Sequence, residues 1–86
     1  MFVRWSLHAK HRFAERAIRL GINYGDIEFE VKKQRCKIKE GLNKFKSVFA
    51  IGGVLLTAIK LENAKFIHVL TLWESNEREV ELWKKK

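Results

Sequence analysis

The sequence predicts an α+β fold: an N-terminal helix and a short second helix packed on a four-stranded antiparallel meander sheet, with a short C-terminal helix. Three observations predict it. The first third of the chain spaces its apolar residues at helical intervals. From Cys36 to Trp73 the period changes to two, broken only by short turns containing Gly or Asn. After Trp73 the chain returns to a charge-rich helical pattern behind a capping Asn. Connections as short as these leave no room for crossovers, so consecutive strands are expected to pair antiparallel.

The elements follow in chain order. Phe2 to Trp5 is short and apolar, suited to a strand or an extended arm under the first helix. Ser6 is a good N-cap, but Ala9 stands three positions on, so the first helix has no capping box. At about 100° per residue across Ser6 to Leu20, the apolar residues Leu7, Phe13, Ala14, Ala17, Ile18 and Leu20 spread over one broad side. His8, Arg12, Glu15, Arg16 and Arg19 gather in a polar arc, with His8, Arg12 and Arg16 at i, i+4 and i+8. Gly21 closes the helix where a left-handed residue is wanted. In the segment from Asn23 to Lys33, Ile27, Phe29 and Val31 alternate like a strand. Asn23 as N-cap with Asp26 in the first turn favours a short helix.

Cys36 and Ile38 then alternate with Lys37 and Lys39, and Gly41 to Asn43 makes a turn. A strand from Phe45 to Ile51 runs into Gly52-Gly53, a strong hairpin signal. Val54 to Glu62 follows, Asn63-Ala64 turns the chain again, and Lys65 to Trp73 is the last and most apolar strand. Strict alternation there sets Phe66, His68, Leu70 and Leu72 on one side and Ile67, Val69, Thr71 and Trp73 on the other. Asn76 is expected to cap the final helix, with Glu77 and Glu79 in its first turn and Lys84 to Lys86 at its end, so that both ends complement the helix dipole.

Eighty-six residues, 47% apolar and 33% charged, describe one domain (1–86) whose site should be a surface groove rather than a deep pocket. The single cysteine, Cys36, has no partner for an internal disulfide and reads as a small buried hydrophobe. No apolar run reaches a membrane span and no signal-peptide core is visible, so a soluble cytoplasmic protein without a membrane partner is expected. The net charge is +8, and residues 1–46 hold twelve Lys and Arg against five Asp and Glu. A polyanionic partner would meet that half.

Metal ligands do not converge: His8 and His11 are neighbours on a helix, while His68 and Cys36 stand apart. Gly52-Gly53 lies between strands and opens no helix, so no phosphate loop is present. Neither a metal nor a cofactor is expected. What remains is basic and aromatic. A basic stripe on a helix is often only its solvated face. The functional reading gives His8 a proton-transfer role and has Arg12 and Arg16 clamp phosphate oxygens. Arg19, Lys37, Lys39, Lys44 and Lys46 extend the surface for RNA backbone contacts. A lone histidine on an apolar strand is more often a satisfied core residue, and His68 is read so.

The motif order His8-x3-Arg12-x3-Arg16, then Gly21-Ile22 before a second short helix, then a meander ending in Val69-x-Thr71-x-Trp73, resembles the domain-of-unknown-function family 4258. That family is placed with the barnase, EndoU, colicin and RelE-like ribonuclease toxins, whose helices pack on an antiparallel sheet. The resemblance implies that His8, Arg12, Arg16 and Thr71 line a common RNA-facing catalytic site. It implies a metal-independent endoribonuclease of the toxin type, with RNA as substrate and an acidic antitoxin as a further partner. The rival expectation is a non-catalytic module of the same fold that binds nucleic acid or protein.

Overall fold

Five strands form one mixed sheet in the order β1-β5-β4-β3-β2, with three α-helices, in a computed structural model that describes residues 2–16, 18–33 and 36–85. The elements are β1 (Phe2–Trp5), α1 (Leu7–Arg16), a 3-10 turn (Ile18–Leu20), α2 (Tyr24–Val31), β2 (Lys37–Lys39), β3 (Lys44–Ile51), β4 (Val54–Glu62), β5 (Phe66–Glu74) and α3 (Glu77–Lys84). β2 to β5 make the expected antiparallel meander. The expected four strands become five, because β1 pairs parallel with β5, Phe2 opposite Phe66 and Trp5 opposite Val69. A strand from the start of the chain meets one near its end, and such a long-range partner leaves no turn signal between them.

The turns match their residues. Gly52 and Gly53 both hold positive φ (55° and 81°), the conformation that a two-residue hairpin with right-handed strand twist requires. Asn63 turns β4 into β5 by accepting hydrogen bonds at Oδ1 from the backbone amides of Lys65 (2.8 Å) and Phe66 (2.9 Å). α2 and α3 begin in reciprocal capping boxes: the side chains of Asn23 and Asn76 accept from the amides of Asp26 and Glu79, whose carboxylates accept in return.

One irregularity sets the rest. The β4–β5 register shifts between Ile59 and Lys60, which face Thr71 and Val69 respectively, so Leu70 is an extra residue in β5. The alternation holds through Val69 and reverses beyond it. Ile67, Val69 and Leu72 are all buried on the inner side. Thr71 and Trp73, which strict alternation separates from His68, share its side.

The inner face is covered by α1 and α2, whose Ala9, Phe13, Ile27 and Val31 form one core with Phe49, Leu56, Ala58 and the inner row of β5. The side of α1 that is buried differs from the expected one. Phe13 is buried as expected, but Leu7 is 73% exposed, Ala14 and Leu20 are exposed, and Ala9 is buried in their place. Ala17 and the side chain of Ile18 lie outside the described residues, as do Arg35 at the start of the expected strand and Lys86. The cause is Ser6. Its Oγ accepts from the Ala9 amide (2.9 Å) and donates to the Leu70 carbonyl (2.7 Å), while its own amide donates to Val69 (2.9 Å). These bonds tie the start of α1 to the bulge and set the helix phase: the small Ala9 meets the sheet closely and Phe13 follows one turn later. Phe13 then stacks on Tyr24 at 4.0 Å and meets the edge of Trp5 at 5.7 Å. α1 ends at Arg16, short of the expected Leu20, and Gly21 (φ 72°) closes the 3-10 turn that follows.

Lys60 is fully buried on the inner face. Its Nζ donates to the Val31 carbonyl (2.6 Å) and lies 2.8 Å from Glu62 Oε2, while Lys37 Nζ donates to Glu62 Oε1 (3.1 Å). Burial pushes the Lys60 ammonium below the ordinary lysine value, and Glu62 opposes that fall only in part. For Glu62 burial acts the other way, but the hydrogen bonds and charges of Lys60 and Lys37 outweigh it and hold the carboxyl below the usual carboxylate range.

Candidate nucleic-acid interface

Residues paired across strands point to the same side, so the register assigns the outer row of the sheet. It includes Phe2 and Arg4 from β1, Phe66, His68, Thr71 and Trp73 from β5, Thr57, Ile59 and Leu61 from β4, Lys44, Lys46 and Val48 from β3, and Ile38 from β2. No carboxylate stands in this row. The only acidic residues in the five strands, Glu62 and Glu74, are registered with Ile67 and Leu56 of the inner row.

α3 covers one end of the outer face. Its Glu79 is buried, with Oε1 accepting from Trp73 Nε1 (2.9 Å) and from the Asn76 amide (2.9 Å), and Oε2 accepting from Lys46 Nζ (3.4 Å). Burial alone would raise this carboxyl. The bonds from Asn76, Trp73 and Thr57 and the charge of Lys46 outweigh it and hold Glu79 below the usual range. Beside it Thr57 Oγ1 and Ser75 Oγ share a hydrogen bond of 2.8 Å.

The remainder of the outer face is open. Phe2 is 61% exposed, and its ring lies near-parallel to that of Phe66 (23°, centroids 6.1 Å apart). The Arg4 guanidinium sits 4.9 Å from the Phe66 centroid. His68 is registered with Arg4 on one side and Leu61 on the other, and Thr71 with Ile59. His68 and Thr71 are half-buried and Lys44 is exposed. The core role expected for His68 is therefore corrected: the bulge and the parallel β1 leave it on the uncovered side of the sheet, between a cation and a leucine.

The residues singled out in the sequence fall on different surfaces. His8 and Arg19 are exposed and Arg12 and Arg16 half-buried, all in the helical layer, with Arg12 Nη1 3.9 Å from Glu15. Thr71 stands across the sheet from them, so the four-residue site of His8, Arg12, Arg16 and Thr71 does not share one face. Lys37 points inward, bonded to Glu62 and 4.3 Å from the Phe45 ring centroid, and Lys39 is an exposed inner-row residue beyond it. Lys44 and Lys46 belong to the outer row, Lys46 held by Glu79. Phe2, Arg4 and Phe66, which the sequence reading did not single out, stand on the open face with His68. The signals were present as Phe-x-Arg in β1 and Phe-x-His in β5, but only the parallel pairing places them together.

Among the described residues no three His, Cys, Asp or Glu converge as a metal site, and no helix is long and apolar enough to cross a membrane. The cavity lined by Cys36, Ser47, Phe49 and half-buried Trp83 measures about 30 Å³, the space of one water. Comparison with protein-family models, with curated proteins and with solved structures finds no match to this chain.

Proposed function

We propose that the protein is a small RNA-binding domain that acts as a metal-independent endoribonuclease of the toxin type, with RNA laid across the outer face of the sheet. The observation that carries this reading is the segregation of charge: the open face offers Arg4, Lys44 and His68 among aromatic rings, and the strand carboxylates point away from it. A polyanion gains most where cations lack competing carboxylates. Arg12, Arg16 and Arg19 in the helical layer extend the positive field rather than the reacting centre.

His68 beside Arg4 supplies the chemistry. A histidine takes the 2′-hydroxyl proton as the 2′-oxygen attacks the adjacent phosphorus, and the guanidinium stabilises the phosphorane charge. The P–O5′ bond breaks, the 5′-oxygen takes a proton from water, the imidazolium returns its proton to the hydroxide so formed, and the products are a 2′,3′-cyclic phosphate and a 5′-hydroxyl. Thr71, on the same side of β5, donates a hydrogen bond to a phosphate oxygen.

The test is RNA cleavage in chelator across pH 5 to 8 by the wild type, His68→Gln and His8→Gln. His68→Gln should cleave at least about a hundredfold more slowly while binding RNA as before, and His8→Gln should cleave like the wild type. Loss confined to His8→Gln would return the chemistry to α1. Wild-type protein that binds RNA but leaves it intact would make the domain a binding module.

A further inference from the structure

We infer that Phe2, Phe66 and Arg4 form a stacking subsite for an unpaired nucleobase, so that the ligand of the outer face is single-stranded RNA rather than duplex. The inference rests on the RNA reading above and narrows its substrate class. Phe2 carries a large apolar ring at the edge strand of the sheet and is 61% exposed. Its neighbour Phe66 lies near-parallel at 6.1 Å, and Arg4 closes over Phe66 at 4.9 Å. Rings and guanidinium thus make a short stacked series whose exposed member is Phe2.

Arg4 has no carboxylate partner among the described residues, so its donors remain available to a phosphate while its guanidinium carbon sits over the ring. Exposed Lys65 precedes Phe66 and adds a second cation at the same end. A flat π-surface beside unpaired cations fits a base with its attached phosphate. In a duplex the base faces are already stacked, so only an unpaired base reaches such a platform. An aromatic or acidic peptide is the competing ligand, and the absence of strand carboxylates from this face fits it less well than a repeating phosphate backbone.

The experiment uses the full chain and a short oligoribonucleotide carrying 2-aminopurine, whose emission falls when it stacks. Alongside it are an abasic strand of the same length and a duplex of the same sequence. The wild type should quench the probe and bind the single strand at least about tenfold more tightly than the abasic strand or the duplex. Phe2→Leu, at an exposed position that spares folding, and Phe66→Leu should abolish most of the quench and the preference, while leaving the salt dependence unchanged. Phe2→Trp should restore both. Arg4→Gln should lower the slope of log K against log salt by about 0.7. Equal affinity for the abasic strand, or undiminished quench in folded Phe2→Leu, would overturn the subsite while leaving charge-driven RNA binding in place. Failure of the wild type to bind any of the three nucleic acids would remove the RNA reading and the subsite with it.

Discussion

The two faces of the sheet hold their cations in opposite ways. On the inner face Lys60 is buried and Lys37 half-buried, and both are satisfied by Glu62 and the end of α2. On the outer face Arg4 and Lys44 have no carboxylate beside them in the strands, and only Lys46 is matched, by a glutamate that α3 brings. A paired buried cation belongs to the stability of the fold, because removing either partner strands the other. A cation on an open face with no carboxylate beside it contributes little to the fold and is available to a ligand. Substitutions on one face should therefore register in unfolding, and on the other in binding.

The largest effect is expected from the inner side. Phe13→Ala removes the ring that joins Trp5 and Tyr24 over the core, and should cost about 3–5 kcal/mol in urea unfolding. Leu7→Ala, on the exposed side of the same helix, should stay within about 0.5 kcal/mol. Equal losses at the two positions would mean that the helix packs in another phase.

Glu62→Leu should cost about 3 kcal/mol, since it leaves the Lys60 ammonium buried without its counter-charge. The same network shapes the pH profile. The Glu62 and Glu79 carboxyls lie below their unfolded values, so the stability they contribute is present above the usual carboxylate range and is lost as pH falls through their folded values. Lys60 lies below its unfolded value, so the unfolded chain binds more protons between the two and stability rises with pH across that alkaline window. Lys60→Met should flatten the alkaline limb in thermal melts, and Glu79→Gln the acid one. Unchanged limbs would show that these groups titrate alike in both states.

Asn76→Ala removes one half of the box that starts α3 and should cost about 1 kcal/mol. The smallest effect is the sharpest test of the contrast between faces. Lys44→Ala should leave the melting temperature nearly unchanged and lower the salt slope of RNA binding by about 0.7, whereas Lys37→Ala should lower stability and leave that slope alone. A reduced slope for Lys37→Ala with none for Lys44→Ala would move the RNA to the other side of the sheet.

Much of this architecture is legible in the chain. Capping pairs, the Gly52-Gly53 hairpin and the period-two segments are relations among residues a few positions apart, and their physics is local. Asn23 with Asp26 selects a helix over a strand for α2, the meander follows from short turns, and Cys36 is buried as its chemistry suggests.

Three features were decided only by tertiary structure. β1 reaches β5 across sixty-odd positions by parallel pairing, which no local pattern encodes. The bulge at Leu70 reverses the alternation of β5, because one inserted residue moves every later side chain to the other face. The phase of α1 follows from Ser6 bonding to that bulge, which turns Ala9 rather than Leu7 toward the core. His68 depends on the first two at once. Its sequence neighbours are apolar and suggest burial, but whether its side of the strand is covered depends on which helices pack where, and that is settled by contacts between residues far apart in the chain.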